Sequence, residues 1–384
     1  MKRYDVIVIG AGPAGSSTAI ALARKGYSVA LLDKERFPRE KLCGDFLNPI
    51  NWPLLRELNV EEAVLARPHE RIAMFGFSSL SGEATEVPFP AGNGDAVFGL
   101  GLRRFDLDYV LLEKAKNLGV TVLDGWKPKE LERQPDGWML KTDPCDVFGE
   151  LGARMLIGAD GRNSWVAHKL RMTDGAGMKG RSVGFQFRLK CVKRAAGKVE
   201  IHLFPGGYAG VVGLGGDNVT LGLAIEKHRL PQGSPRLALL NSILPQNPWL
   251  KELLRRGPVS EIRSTYPVYF PPRRSYGERV LLVGDAARVN EPVTGEGIYF
   301  ALKGGQFAAR TIDQAFRKGD FSAERLSSYE RECRSAFRIR RGINALIRWL
   351  IYRPALLSSL VRVADKRTRL LDSIVHSICA ASSA

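Results

Sequence analysis

An α/β fold interrupted by a mainly antiparallel β-sheet domain and completed by a helical C-terminal region is predicted from three observations. An apolar, β-branched run at residues 4–9 leads into Gly10-Ala11-Gly12-Pro13-Ala14-Gly15 and then a small-residue helix over 16–25. A second apolar run at 279–283 leads into Gly284-Asp285-Ala286-Ala287, with a long helical pattern over 297–317 beyond it. Between them, residues 182–269 hold several β-type runs separated by Gly-rich turns, the pattern of an antiparallel sheet rather than of βα units.

Taken in order, the first unit is a βαβ module: Gly26 ends the first helix and residues 29–32 form a second strand closing on Asp33. The turn fits G-x-G-x-x-G with a strand before it, a helix after it and an acidic residue roughly 20 positions on, which is the context of a Rossmann-like dinucleotide site. Gly10 permits the tight turn, Gly12 admits a pyrophosphate to the backbone, and Gly15 lets helix and strand pack closely, while Pro13 and Ala14 open the helix. The unpaired N–H groups and partial positive charge of the helix start face the phosphates. Asp33, with Lys34 after it, is placed for the ribose. On this turn alone FAD and NAD fit equally.

A charge-rich loop follows over 34–45, then a helix near 53–65 and short strand-like segments over 67–96. Helical periodicity resumes at 104–118, and strands are expected at 120–123 and at 155–160, the latter ending in a glycine-flanked Asp160. The runs 183–189, 199–204, 209–214 and 219–225 read as strands, 236–256 as helical, and 323–378 as helical with many arginines. The expected division is a discontinuous dinucleotide-binding domain (1–70, 96–170, 275–322), a substrate-binding β-sheet domain (71–95, 171–274) and a helical region (323–384).

Five cysteines, Cys43, Cys145, Cys191, Cys333 and Cys379, are scattered without a C-x-x-C, which argues against a disulfide framework and against a metal site. The first apolar run is too short for a signal peptide and no uncharged stretch reaches the ~18 residues of a membrane span, so a cytoplasmic protein is expected. The net charge of +17 suits nucleic acid, an anionic lipid surface or an anionic substrate. No nucleic-acid-binding signature accompanies it, and no nucleic acid partner is expected.

The segment 280–287, followed by Glu291-Pro292-Val293-Thr294-Gly295-Glu296-Gly297-Ile298, resembles the second fingerprint of the FAD-dependent superfamily typified by para-hydroxybenzoate hydroxylase. The resemblance implies FAD and a fold of the glutathione reductase type. It places Gly284 and Asp285 at the ribityl chain, and lets Pro292, Gly295, Gly297 and Ile298 set a helix start against the flavin, where N–H groups stabilise a reduced, anionic ring. Gly158-Ala159-Asp160-Gly161 resembles the D-G motif of that superfamily, and Arg104 resembles its arginine near the pyrophosphate.

Lys41-Leu42-Cys43-Gly44-Asp45 resembles the cysteine motif of the geranylgeranyl reductase family, which implies reduction of prenyl C=C bonds by reduced FAD. Hydride addition to an unactivated alkene needs a proton on the other carbon, and Cys43 is the catalytic candidate, with packing under the flavin as the alternative. Asp45 and Asn48 are equally suited to capping the loop. The segment 200–210 resembles that family's Pro-Gly-Tyr strand and makes Tyr208 and His202 substrate candidates, although Ala209-Gly210 is smaller than the family pattern. His202 alternates in phase with Glu200 and Phe204, and a hydrogen-bonded structural histidine is the simpler reading.

No W-x-W-x-I-P of the halogenases occurs, and no second G-x-G-x-x-G for a nicotinamide. NAD(P)H or another reductant is therefore expected to dock transiently. Residues 338–353 place arginines beside apolar and aromatic residues, as in a helix lying on an anionic membrane, here the inner surface. The alternative is a packed helix with solvated arginines. The expected function is an FAD-dependent reductase acting on a hydrophobic, prenyl or polyketide-like molecule by hydride transfer; the alternative is a monooxygenase acting through a flavin hydroperoxide.

Overall fold

The computed structural model describes residues 2–90, 97–142, 149–173, 181–190, 196–230, 238–256, 259–288, 292–353 and 369–379. The chain opens with β1 (Lys2–Ile9), α1 (Pro13–Ala23) and β2 (Val29–Asp33), then β3 (Phe46–Leu47), α2 (Trp52–Glu57) and α3 (Glu61–Leu65). Four short strands follow, β4 (Glu70–Ile72), β5 (Met74–Ser78), β6 (Ala84–Pro88) and β7 (Gly99–Gly101). Next come α4 (Arg104–Asn117), β8 (Thr121–Asp124), β9 (Glu130–Gln134), β10 (Gly137–Lys141), β11 (Glu150–Gly158) and α5 (Trp165–Lys169). The inserted sheet adds β12 (Ser182–Lys190), β13 (Lys198–Phe204), β14 (Gly207–Gly213) and β15 (Asn218–Glu226), with α6 (Pro248–Leu253) and β16 (Arg263–Thr265) after them. The chain then returns through β17 (Tyr276–Gly277) and β18 (Val280–Leu282) to α7 (Gly297–Lys318), α8 (Ala323–Ala336), α9 (Arg338–Ile351) and α10 (Arg369–Cys379).

The first sheet runs β17-β18-β11-β1-β2-β8, with the β9–β10 hairpin paired to β11. Its central strands are parallel and buried on both faces, as continuous apolar runs require. On one side α1, α4 and α7 cover it through residues such as Ile20, Leu111 and Phe307. Helices α1 and α7 pack closely, because a Cβ on Gly305 would lie 2.8 Å from Ala14 O and Ser17 Oγ donates to Leu302 O at 2.9 Å. The second sheet runs β16-β12-β15-β14-β13-β5-β6 and is antiparallel except at β13–β5. A small third sheet, β3-β7-β4, lies where the two larger ones meet: a Cβ on Gly101 would stand 1.7 Å from Gly213 O.

Two expected elements differ in detail and one element is unexpected. The single helix near 53–65 is two, because Asn59 adopts φ 54° between α2 and α3. The helical stretch ending at 256 is broken into short turns where Pro245 and Pro248 remove backbone donors. The β9–β10 hairpin went unread in the sequence. Among the described residues no helix is long and apolar enough to cross a membrane.

Candidate active site

Parallel register brings the carboxyl ends of four strands level: Ile9 pairs with Leu32 and with Gly158, and Gly158 with Leu282. Gly10, Asp33, Asp160 and Gly284-Asp285 leave the sheet together there, at the edge where open α/β sheets bind ligands. A cavity of about 1120 Å³ runs from this edge onto the second sheet. Of the cofactor, catalytic and substrate candidates, all but Gly15 and His202 line it.

At the nucleotide turn Gly10 has φ 103°, and a Cβ there would stand 2.3 Å from Ala159 O. A Cβ on Gly15 would stand 1.8 Å from Gly10 O, so Gly15 is the spacer that seats α1 on the turn. No side chain caps α1, so its first-turn N–H groups are open to an anion. A Cβ on Gly12 would lie 3.7 Å from Nη2 of both Arg39 and Arg104. Asp108, fully buried, aims these guanidinia: Arg104 donates to it at 2.6 and 2.8 Å, and Arg39 at 3.1 Å. Burial works against the Arg104 charge, but Asp108 outweighs it and raises the pKa. Asp33 accepts from Ala11 N at 2.9 Å and Glu35 N at 3.0 Å, so it braces the turn as well as lining the cavity, and Lys34 stands exposed at the rim.

Farther along, Arg162 lies 3.8 Å from Asp285. Asp160 accepts from Val166 N at 3.1 Å through Oδ2, while its buried Oδ1 has no hydrogen-bond partner among the described residues. Burial raises the Asp160 pKa. At the opposite end α7 also starts without a side-chain cap. A Cβ on Gly297 would meet nothing within 4 Å, whereas one on Gly295, at φ 65°, would strike the Phe46 ring at 2.6 Å. Two guanidinia beside a glycine turn, an unfilled carboxylate acceptor and two open helix starts fit FAD. Gly10 to Ala14 with Arg39 and Arg104 would hold the diphosphate, Asp160 and Asp285 the polyol, and the start of α7 the ring. Arg39, Asp108 and Arg162 were not singled out from the sequence, and Lys41 entered only as part of the cysteine motif; an acid four residues after Arg104 on a helix was the readable signal for Asp108.

Away from these groups the lining is mainly apolar, although Glu261, Arg263, Ser264, Thr265 and Arg288 also belong to it. Val199 and Ile201 on β13, and Tyr208, Gly210 and Val212 on β14, line it at alternate positions. That parity turns Glu200, His202 and Phe204 to the other face. His202 is therefore a hydrogen-bonded core histidine, the simpler of its two readings, and its candidacy as a substrate residue falls. Its Nδ1 lies 2.8 Å from Ser78 Oγ, to which Asn247 donates at 3.0 Å, and burial, with Lys198 adding to it, lowers its pKa to about 4.

The cysteine loop joins the two halves. Lys41 Nζ lies 3.7 Å from the Cβ position of Gly161 at the cofactor end, and Gly44 Cα lies 3.5 Å from that of Gly222 on the second sheet. Gln186 Oε1 accepts from Cys43 N at 3.2 Å. Gln186 Nε2 and Thr220 Oγ1 donate to Asp45 at 3.2 and 2.8 Å, and Arg104 N donates to it at 3.1 Å. Burial raises the Asp45 pKa to about 6. Burial also pushes the half-buried Cys43 thiol up, against the pull of the Arg104 charge. Asn48 caps the short turn Pro49–Asn51 through Ile50 N at 3.1 Å. Of the other cysteines, Cys333 and Cys379 are buried, and Cys145 and Cys191 lie outside the described residues.

Behind the turn that opens α7, Arg340 donates to Glu296 at 2.8 Å and to Ser377 O at 3.2 Å, and Asn344 donates to Thr294 Oγ1 at 2.9 Å. Arg340 and Glu296 are both buried. The helix is packed, as the second reading of this segment expects, but not all of its arginines are solvated: Arg340 grips the turn that opens α7.

An FAD binding domain model matches residues 3–207, over half of the chain. The conditioned medium factor receptor 1 of Dictyostelium discoideum is 28% identical over 383 residues, covering 95% of this chain and 74% of that protein. Digeranylgeranylglycerophospholipid reductase 1 of Methanopyrus kandleri is 31% identical over 346 residues, covering 88% of this chain and 87% of that one. The flavin-dependent brominase Bmp2 superposes with a TM-score of 0.80 at 22% identity, covering 98% of this chain and 94% of that one, a likeness of fold. The domain match and the extent of the likeness to the Methanopyrus reductase decide the matter: this chain is an FAD-binding flavoprotein of the geranylgeranyl reductase-like family.

Proposed function

We propose that this protein reduces a C=C bond of a hydrophobic, prenyl or polyketide-like molecule, with Cys43 delivering the proton. What carries the reading is the course of the cysteine loop, which spans from Gly161 at the cofactor end to Gly222 on the floor of the apolar chamber. Reduced FAD, when bound in the cleft, would supply the hydride. Cys43 holds a proton at Sγ, because burial keeps the thiol neutral at ordinary pH. Gln186 and Asp45 fix the loop that carries it, and Arg104, whose charge favours the thiolate, steadies the sulfur once the proton has left. Chamber walls built from Phe75, Ile201, Tyr208 and Val212 take a hydrocarbon chain and exclude water. The relative named as a prenyl-lipid reductase supports the same substrate class. NAD(P)H or another reductant reaches the flavin transiently, and the enzyme works at the cytoplasmic face of a membrane.

The test is turnover of a prenylated alkene by pre-reduced enzyme without oxygen. Reduced product is expected, and Cys43→Ala should lower turnover by about 100-fold while FAD stays bound. Product formed only with matching oxygen uptake would make the protein a monooxygenase instead. Unchanged turnover in Cys43→Ala would reduce the thiol to packing.

A further inference from the structure

Helix α9 has two unlike faces. Inward, Ile347 and Ile351 pack with Ile201, Tyr208 and Val293 of the chamber wall, while Arg340 and Asn344 hold the turn at Thr294 and Glu296. Outward, Ile339, Leu346 and Trp349 are 71%, 55% and 47% exposed, and Gly342 and Ala345 are exposed between them. Spacings of seven and three residues align the three bulky side chains in one stripe. Water-facing helix positions ordinarily carry charge, and here the charge stands at the ends of the stripe.

Residues 338–353 contain five arginines and no carboxylate. Arg340 is buried on Glu296. Arg338 is exposed where the helix begins, and Arg353 is exposed just past its end, its guanidinium 4.3 Å over the Trp349 ring. An exposed apolar stripe between guanidinia that have no carboxylate partner among the described residues fits a layer whose surface is anionic and whose interior is hydrocarbon.

We infer that the outward face of α9 docks in the plane of an anionic lipid bilayer, setting the chamber wall that lies behind it against the membrane. Delivery of a lipid substrate by this route rests on the reductase reading; the docking itself does not. It makes α9 the shared wall between bilayer and chamber and, through Arg340 and Asn344, a brace of the cofactor edge.

The experiment is co-sedimentation of the FAD-loaded full chain with vesicles of equimolar phosphatidylglycerol and phosphatidylcholine, against phosphatidylcholine alone. The protein should pellet with the anionic vesicles and be released by salt. The double variant Leu346→Glu, Trp349→Glu should partition at least about tenfold more weakly while keeping its flavin absorbance, and Trp249→Glu, at an exposed tryptophan elsewhere, should bind as the parent does. Ile339→Glu, at the other end of the stripe, serves if the double variant does not retain FAD. A parent protein that stays in the supernatant with anionic vesicles, or stripe variants that pellet as it does, would overturn the inference. Because sedimentation reads no turnover, a failed reductase assay and failed docking are separate results.

Discussion

Burial acts on Cys43, Asp45 and His202 through one physical cause with different consequences. It disfavours charge, so the thiol and the carboxyl keep their protons longer and the imidazole loses its proton sooner. For His202 the folded pKa of about 4 lies below the ordinary 6.5, so the stability it contributes is complete above that value and is lost as pH falls toward about 4. Asp45 runs the other way: its pKa is raised from 3.8 to about 6, so its contribution is present at low pH and is lost as pH rises through about 6. The two trends oppose each other over nearly the same window. His202→Gln should therefore gain stability relative to the parent on acidification from pH 6.5 to about 4, by on the order of 3 kcal/mol, measured by urea unfolding at both ends of that range. The parity that removes His202 from the chamber was already visible in its alternation with Glu200 and Phe204. What the sequence could not reveal was which of the two phases faced the cavity, because that depends on where the cysteine loop lies across the sheet.

Elements were most legible where one local pattern decides them. The βαβ start is such a case, since its strand, glycine turn, helix and closing acid are consecutive. Gly15→Ala tests the tightest point of that element. Its Cβ would meet the carbonyl of Gly10, a residue whose own N–H already donates to Leu32 O of β2 at 2.6 Å. Overpacking against backbone should cost ~3 kcal/mol or more and abolish FAD retention, read from thermal unfolding and flavin absorbance. The β9–β10 hairpin was illegible for the opposite reason. Its outer strand, Glu130–Gln134, is mostly polar and is held to its partner partly by ion pairs such as Lys141 to Glu132, which a hydrophobic pattern does not report. The helix over 53–65 misled because left-handed Asn59 interrupts an apolar period that otherwise runs on.

At the scale of the whole molecule, the cofactor cleft was legible because its contributors are short motifs at strand ends, and register brings those ends level. Contacts between distant segments were not legible: Gln186 and Thr220 on the cysteine loop, or Arg340 on Glu296, pair residues that no local pattern links. The last of these yields a prediction about the entire fold. Arg340→Met leaves Glu296 buried without its counter-charge and should cost roughly 3 to 5 kcal/mol, together with FAD affinity. Adding Glu296→Gln should recover much of the stability, so denaturant midpoints and flavin release from the single and double variants distinguish a buried-charge penalty from simple loss of packing.

Glu296 is gripped by an arginine 44 residues farther along the chain, and that arginine leans in turn on the Ser377 carbonyl of α10. A ribosome delivers the glycine-rich turns well before it delivers this grip. The nascent chain thus carries its nucleotide turn long before the turn that opens α7 has this support, and stable flavin retention is expected only once α10 has emerged.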